Sequence, residues 1–248
     1  MLAEMLMRTL ILLSLSTFLS LASLGQAQKM IQRDWIKVSI ENLSNHEVGP
    51  DTLYTRYSFS RSVLYISLCP GWNDYTQTWA MSGNNLTIGF DTYQIEVLND
   101  TALTISLDGF RRMTFLSEEH LSSNDEHLKT LGQYNEKPLF KANHYITPRY
   151  NGKGSFREYV HKNLEGYNIK KASYFMATFI VTEEGKVENV IVRKGITGGF
   201  DATVTKQLLK SSKNWTPARF KGKPVQTEMM YEIKYLDALT PYNSGILQ

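Results

Sequence analysis

The chain has 248 residues, carries a net charge of +3 at pH 7, and is 42% hydrophobic and 12% aromatic. That content excludes a disordered or low-complexity chain, and the length suits two small domains. One cysteine, Cys69, excludes an intramolecular disulfide, and its default place is a buried packing position.

Residues 1–27 read as a signal peptide. Arg8 supplies positive charge, 10–24 is apolar apart from Ser and Thr, and Gly25 and Ala27 are small residues at a cleavage site. The apolar run is shorter than the ~20 residues of a spanning helix. The mature protein is expected to begin near Gln28 and to be periplasmic. Its charge is split. Residues 28–134 hold 8 Lys and Arg against 13 Asp and Glu, net −5, whereas 135–248 hold 18 against 10, net +8. Such asymmetry points to two units with different partners. In an exported protein, nucleic acid is not expected to be one of them.

Short strands are expected at 35–40, 53–59, 63–68, 77–81, 86–89, 93–98, 103–107 and 111–116, with turns at Asn84-Asn85, Asn99-Asp100 and Asp108-Gly109. Tyr93, Ile95 and Val97 alternate with Gln94 and Glu96, as on a half-buried strand. The expectation for 28–117 is an all-β antiparallel meander or small barrel. Tyr54, Tyr57, Tyr65, Tyr75 and Tyr93 either line a cavity in it or pack on sheet faces.

Residues 118–143 are polar and read as a linker, with one short helix at most. His120 and His127 with Glu118, Glu119 and Glu126 are the one grouping that suits a metal. Two weak ligands in a polar join are better read as solvated residues, so no metal and no cofactor is expected.

The period changes after that. Phe156, Tyr159, Val160 and Leu164 follow helical spacing behind Ser155 as N-cap. Strands at 174–182 and 187–193 flank a Glu183-Glu184-Gly185-Lys186 turn. A second helix over 200–212 has Asp201 as its expected N-cap, and Trp215 follows as a core plug. The last strand, 225–235, puts Val225, Thr227, Met229, Tyr231 and Ile233 on one face and Gln226, Glu228, Glu232 and Lys234 on the other. The economical assembly is an α+β domain over 144–236, two helices on a three-stranded antiparallel sheet, with 237–248 as a tail. Neither half carries a His-Glu-x-x-His, a Gly-x-Ser-x-Gly, a phosphate-cradling loop or a Cys pair, so no enzyme is expected.

The order strand, hairpin, strand, helix, Asn214-Trp215-Thr216-Pro217-Ala218, Gly222-Lys223-Pro224-Val225, strand resembles the TonB C-terminal domain family. The resemblance implies that an extended peptide, from an envelope protein or an outer-membrane transporter, adds beside the final strand at Val225, Gln226, Thr227, Glu228, Met229, Met230, Tyr231 and Glu232. A symmetric homodimer is the competing occupant of that edge. No Pro-rich spacer precedes the domain, which implies a soluble adaptor in transport rather than an energy transducer. In the first half, Trp79, Gly83-Asn84-Asn85-Leu86, Tyr93-x-Ile95-x-x-Leu98-x-Asp100-x-x-Leu103 and Arg111-Arg112-Met113-Thr114-Phe115 resemble the lipocalin-like domains. That likeness implies the alternative function, a carrier of a small apolar ligand. A roomy barrel interior would favour the carrier. A filled interior with an exposed last strand would favour the peptide binder.

Overall fold

The computed structural model describes residues 26–50, 54–71, 74–167, 169, 172–236 and 240–242. Almost all of the expected signal peptide therefore lies outside the described residues. The chain forms two compact units. The first gathers the described residues of Met1–Pro50, Ser58–Leu64 and Gln77–Ser117, and the second those of Asp51–Tyr57, Tyr65–Thr76 and Glu118–Gln248. Among the described residues, no helix is long and apolar enough to cross a membrane.

The first sheet contains β1 (Asp34–Asn42), β2 (Glu47–Pro50), β3 (Arg56–Phe59), β4 (Val63–Ser67), β5 (Tyr75–Ser82), β6 (Asn85–Ile88), β7 (Asp91–Leu98), β8 (Ala102–Leu107) and β9 (Arg111–Ser117). They pair in the order β2-β1-β3-β4-β5-β6-β7-β8-β9, and β1 also pairs antiparallel with β9. That last pairing closes β1 and β3–β9 into an eight-stranded barrel, which leaves the closed ladder no free edge. The register shows why the sequence closes this way. Trp79 faces Ile88, Leu86 faces Tyr93, Leu103 faces Phe115 and Ile105 faces Met113. Directly paired residues share one face, so these buried side chains fill the interior together. The turn between β7 and β8 is made by Asn99, whose Oδ1 accepts from the backbone N–H of Thr101 and Ala102 at 2.9 and 2.8 Å.

The second unit contains a helix at Glu118–Leu121, β10 (Thr130–Tyr134), β11 (Lys137–Lys141), β12 (Arg149–Tyr150), a helix at Phe156–His161, β13 (Ser173–Val181), β14 (Val187–Lys194), a helix at Gly198–Lys210, β15 (Trp215–Thr216), β16 (Ala218–Phe220), β17 (Lys223–Leu236) and β18 (Thr240–Tyr242). Its main sheet runs β10-β11-β17-β13-β14, with β16 and β18 added to β17. The Phe156–His161 helix starts in a full capping box between Ser155 and Glu158. Phe156, Val160, Phe200, Val204 and Leu208 pack with Phe175, Phe179, Met229, Tyr231 and Trp215 in one core. The Trp215 Nε1–H donates to Ser211 Oγ at 2.9 Å, so the indole is buried with its one donor satisfied.

The expected fold class requires correction. The chain is mostly β, a closed eight-stranded barrel followed by a seven-stranded mixed sheet, rather than an α+β domain of two helices on three antiparallel strands. The reason is local. Residues 118–143, read as a linker, include β10 and β11, and β11 joins β17 in parallel. The Gly198–Lys210 helix is capped by Thr197, not Asp201, because Asp201 Oδ1 instead accepts from Ile196 N at 2.9 Å and closes the preceding loop. Strand β2 had no counterpart in the expectation.

Gly185 and Gly222 separate two glycine roles. Both have positive φ, +76° and +74°. A Cβ on Gly222 would meet nothing within 4 Å, whereas one on Gly185 would collide with the Trp215 carbonyl oxygen. Gly222→Ala is expected to cost about 1–2 kcal/mol, the left-handed penalty alone. Gly185→Ala is expected to cost more than about 3 kcal/mol, since strain adds to a backbone collision. Urea unfolding of the two variants checks the difference; equal midpoints would mean that the Trp215 segment yields freely.

Candidate functional site

The final strand was the sequence-based candidate, and its edges decide what it can bind. Residues 227–235 of β17 pair with β13 along one edge. Gln226, Thr227 and Glu228 pair with Leu139, Phe140 and Lys141 of β11, and Lys234 and Tyr235 pair with β18. Since β13 already holds Thr227, Glu228, Lys234 and Tyr235 from one side, β11 and β18 lie along the other. Ala142 N–H donates to Glu228 O at 3.0 Å, so the main-chain groups of Glu228 face β11. Groups two and four residues on face the same way, which leaves the main chain of Met230 and Glu232 between β11 and β18.

The side chains follow the same logic. Val225 pairs with Ala218 of β16. Thr227, Met229 and Tyr231 are buried. Gln226 is also buried, and its Nε2 donates to Tyr134 O at 2.8 Å and Lys137 O at 2.9 Å. Glu232 is buried, accepts from the Tyr174 hydroxyl, and lies 3.4 Å from Lys234 Nζ. Burial, then Glu232, raise the Tyr174 phenol to about 12. Of the eight proposed peptide contacts, five thus have buried side chains, and Gln226, Thr227 and Glu228 lie in the stretch that pairs with β11. The sequence did carry a sign of β11. Asn135 and Glu136 both adopt positive φ in the two-residue turn between Tyr134 and Lys137, the backbone that favours Asn in a hairpin.

Other candidates resolve plainly. Among the described residues, no group of three His, Cys, Asp or Glu could hold a metal. Glu118 is ion-paired with Arg149, and His127 Nδ1 lies 2.7 Å from Leu121 O. Of the five tyrosines weighed as cavity lining, Tyr93 faces the barrel interior opposite Leu86. Tyr65 and Tyr75 are exposed, and Tyr54 rests on His144 with ring centroids 5.3 Å apart.

An opening lies at one end of the barrel, where sequence reasoning placed nothing. It has a volume of ≈ 810 Å³ and is bordered by the β1–β2 hairpin and the β8–β9 turn. Ile40, Val48 and Phe110 give it an apolar wall, and Glu41, Glu47 and Arg111 a charged one. Val48 is 67% exposed and Phe110 70% exposed. Leu43 N–H donates to Phe110 O at 2.9 Å and ties the two turns together. Positions 111, 113 and 115 share the interior face, as does Lys37 opposite Phe115. Burial, and then Arg111 nearby, lower the Lys37 pKa from its ordinary value. Arg111 also reaches the Tyr93 hydroxyl at 3.4 Å. On the outer face Arg112 lies 2.7 Å from both Glu41 Oε2 and Glu96 Oε2.

No family model matches the chain, that of the TonB C-terminal domain included, and no curated protein matches it. Among solved structures, a lipocalin-like protein from Bacteroides uniformis ATCC 8492 is similar over 34% of this chain and 96% of its own, with 12% identity and a TM-score of 0.31. The barrel stands on the strand pairings described above, not on that likeness.

The Arg112 pairs make a pH test. Bonding to Arg112, with a smaller effect of His46, lowers the Glu41 pKa, and bonding to Arg112 lowers that of Glu96, both from 4.5. Depressed carboxyls stabilise the fold above that value, and the effect is lost as pH falls below it. Arg112→Leu is expected to melt a few degrees below the parent protein at pH 7, with the gap closing at about pH 3. Thermal melts at the two pH values check it. A gap of the same size at both would assign the loss to packing of the Arg112 stem.

Proposed function

We propose that this is a non-catalytic binding protein whose barrel takes a small apolar ligand in the cleft between the β1–β2 hairpin and the β8–β9 turn. The reading is carried by Val48 and Phe110, two large apolar side chains left mostly exposed on the wall of a concave opening. Concave sites with an apolar wall and a few polar groups are the usual form of a small-molecule site. The filled interior keeps the ligand at the rim, where Arg111, Glu41 and Glu47 would orient any polar group it carries. Strand addition on β17 has less support, because β11 already pairs with Gln226–Glu228 on that edge and β18 with Lys234–Leu236 just beyond it. On the same footing, the signal-like N-terminus supports a periplasmic site of action.

Anilinonaphthalene sulfonate, a dye that brightens in apolar surroundings, tests the cleft. Phe110→Ser removes about half of an apolar wall without touching the core, and is expected to weaken dye binding roughly tenfold. Val48→Ser should give a smaller loss in the same direction. Equal dye affinity in the parent protein and both variants would place the apolar site elsewhere.

A further inference from the structure

At one end of the barrel, three connections carry apolar side chains where turn chemistry calls for Gly, Asn, Asp or Ser. Phe90 follows Gly89 in the two-residue turn between β6 and β7, closed by the Ile88–Asp91 pair. The φ of +60° at Gly89 fits the Gly-first turn of a tight hairpin, and the Phe90 side chain is fully exposed. Phe110 ends the turn between β8 and β9, and Val48 follows the turn between β1 and β2; both are mostly exposed. Scattered apolar residues need no explanation, but these are gathered. The pairs β6–β7, β7–β8, β8–β9 and β1–β9 are all antiparallel, so the three turns lie at the same end. Contacts join them. Leu43 N–H ties the β1–β2 turn to Phe110 O at 2.9 Å. Arg111, next to Phe110, donates to the Tyr93 hydroxyl, which lies 3.4 Å from the carboxylate of Asp91, next to Phe90.

We infer that this end of the barrel docks on a neutral lipid surface, with Phe90, Phe110 and Val48 entering the boundary between headgroups and acyl chains. Area argues against a protein partner or a second copy. The three side chains together offer on the order of 400 Å² of apolar surface, about half of the ~800 Å² that each side of a stable protein interface buries. They also stand on separate turns. Lipid sets no requirement for one continuous patch, because each side chain is buried by itself in a fluid phase. Charge selects the lipid. Among the described residues of the three turns, Glu47, Asp91 and Asp108 are exposed acids, against the exposed guanidinium of Arg111. Such a rim is not drawn to an anionic surface, so the partner is a zwitterionic one. Phe90 is no part of the cleft wall, and the inference does not rest on a ligand being bound there.

The test attaches an environment-sensitive nitrobenzoxadiazole label at one position at a time in the full chain, with Cys69→Ser so that only the new thiol reacts. Phe90→Cys puts the label on the tip. Thr101→Cys puts it in the β7–β8 turn at the opposite end. Phosphatidylcholine vesicles are expected to brighten the label at 90 several-fold and to leave the label at 101 unchanged. This local readout separates docking of the rim from any other segment meeting lipid. Phe110→Ser in the protein labelled at 90 should raise the vesicle concentration for half-maximal brightening roughly tenfold. Vesicles that also contain phosphatidylglycerol should bind no more tightly. No brightening at 90, or equal brightening at both labels, overturns the inference. So does an unchanged midpoint in Phe110→Ser, or a response that requires phosphatidylglycerol. Brightening that rises with protein concentration in the absence of vesicles would assign the tips to a second copy and overturn it as well.

Discussion

A β-strand has two edges, and β17 has work for both. It spans Lys223–Leu236, the longest strand described, and β13 pairs with nine of its residues on one side. Left bare, the other side would be a row of unpaired N–H and C=O groups in the middle of an apolar sheet. The chain answers with its own segments, β11 over Gln226–Glu228 and β18 from Lys234. The core depends on that arrangement. Met229, Tyr231 and Ile233 face the helices because the unbroken register with β13 holds them there, and Phe156, Phe200 and Trp215 close over them.

The sequence made some of this legible and not the rest. Elements with a strong local signal could be read directly: Ser155 as a helix N-cap, the alternation from Thr227 to Ile233, the Asn99 turn. These depend on a few neighbouring residues, whose period or capping chemistry is visible in one dimension. What escaped was long-range. β11 is five residues with little alternation, and its partner lies some ninety positions on, so nothing in Lys137–Lys141 announces a parallel pairing with β17. The same limit applies to the closing pair of β1 and β9. Each strand was visible, but closure is a property of the ladder. The edge of β17 looked open for this reason, and the peptide-binding expectation rested on its being open.

The candidate site was hidden for a different reason. Val48 and Phe110 belong to turns and a short strand, where single apolar residues carry no periodic signal. They become informative only as exposed groups on the same concave surface. Meanwhile the tyrosines that drew notice for a cavity divide among different settings, with Tyr93 in the barrel and Tyr54 against His144. The barrel interior is spent on packing, with Trp35, Leu103, Ile105 and Phe115 fully buried. On the proposed reading, recognition is therefore left to the rim, where connections vary at little cost to the ladder.

The buried polar groups of β17 show how register is enforced in the second unit. Gln226 Nε2 reaches two carbonyls of the β10–β11 turn, Tyr134 and Lys137. A slip of one residue would carry Gln226 to the helix-facing side and bring Met229 out of it. Two main-chain acceptors would then lose their donor, and a buried amide would have none, an error costing more than the mean worth of either bond. Glu232, bonded to the Tyr174 hydroxyl across the same sheet, penalises the slip again at the other end. The apolar face of β17 thus supplies most of the driving force for burial, while Gln226 and Glu232 decide which of the possible registers is occupied. A sheet fixed in this way holds Tyr231 in place. That is why a hydroxyl without a partner stays in the core instead of turning out to water.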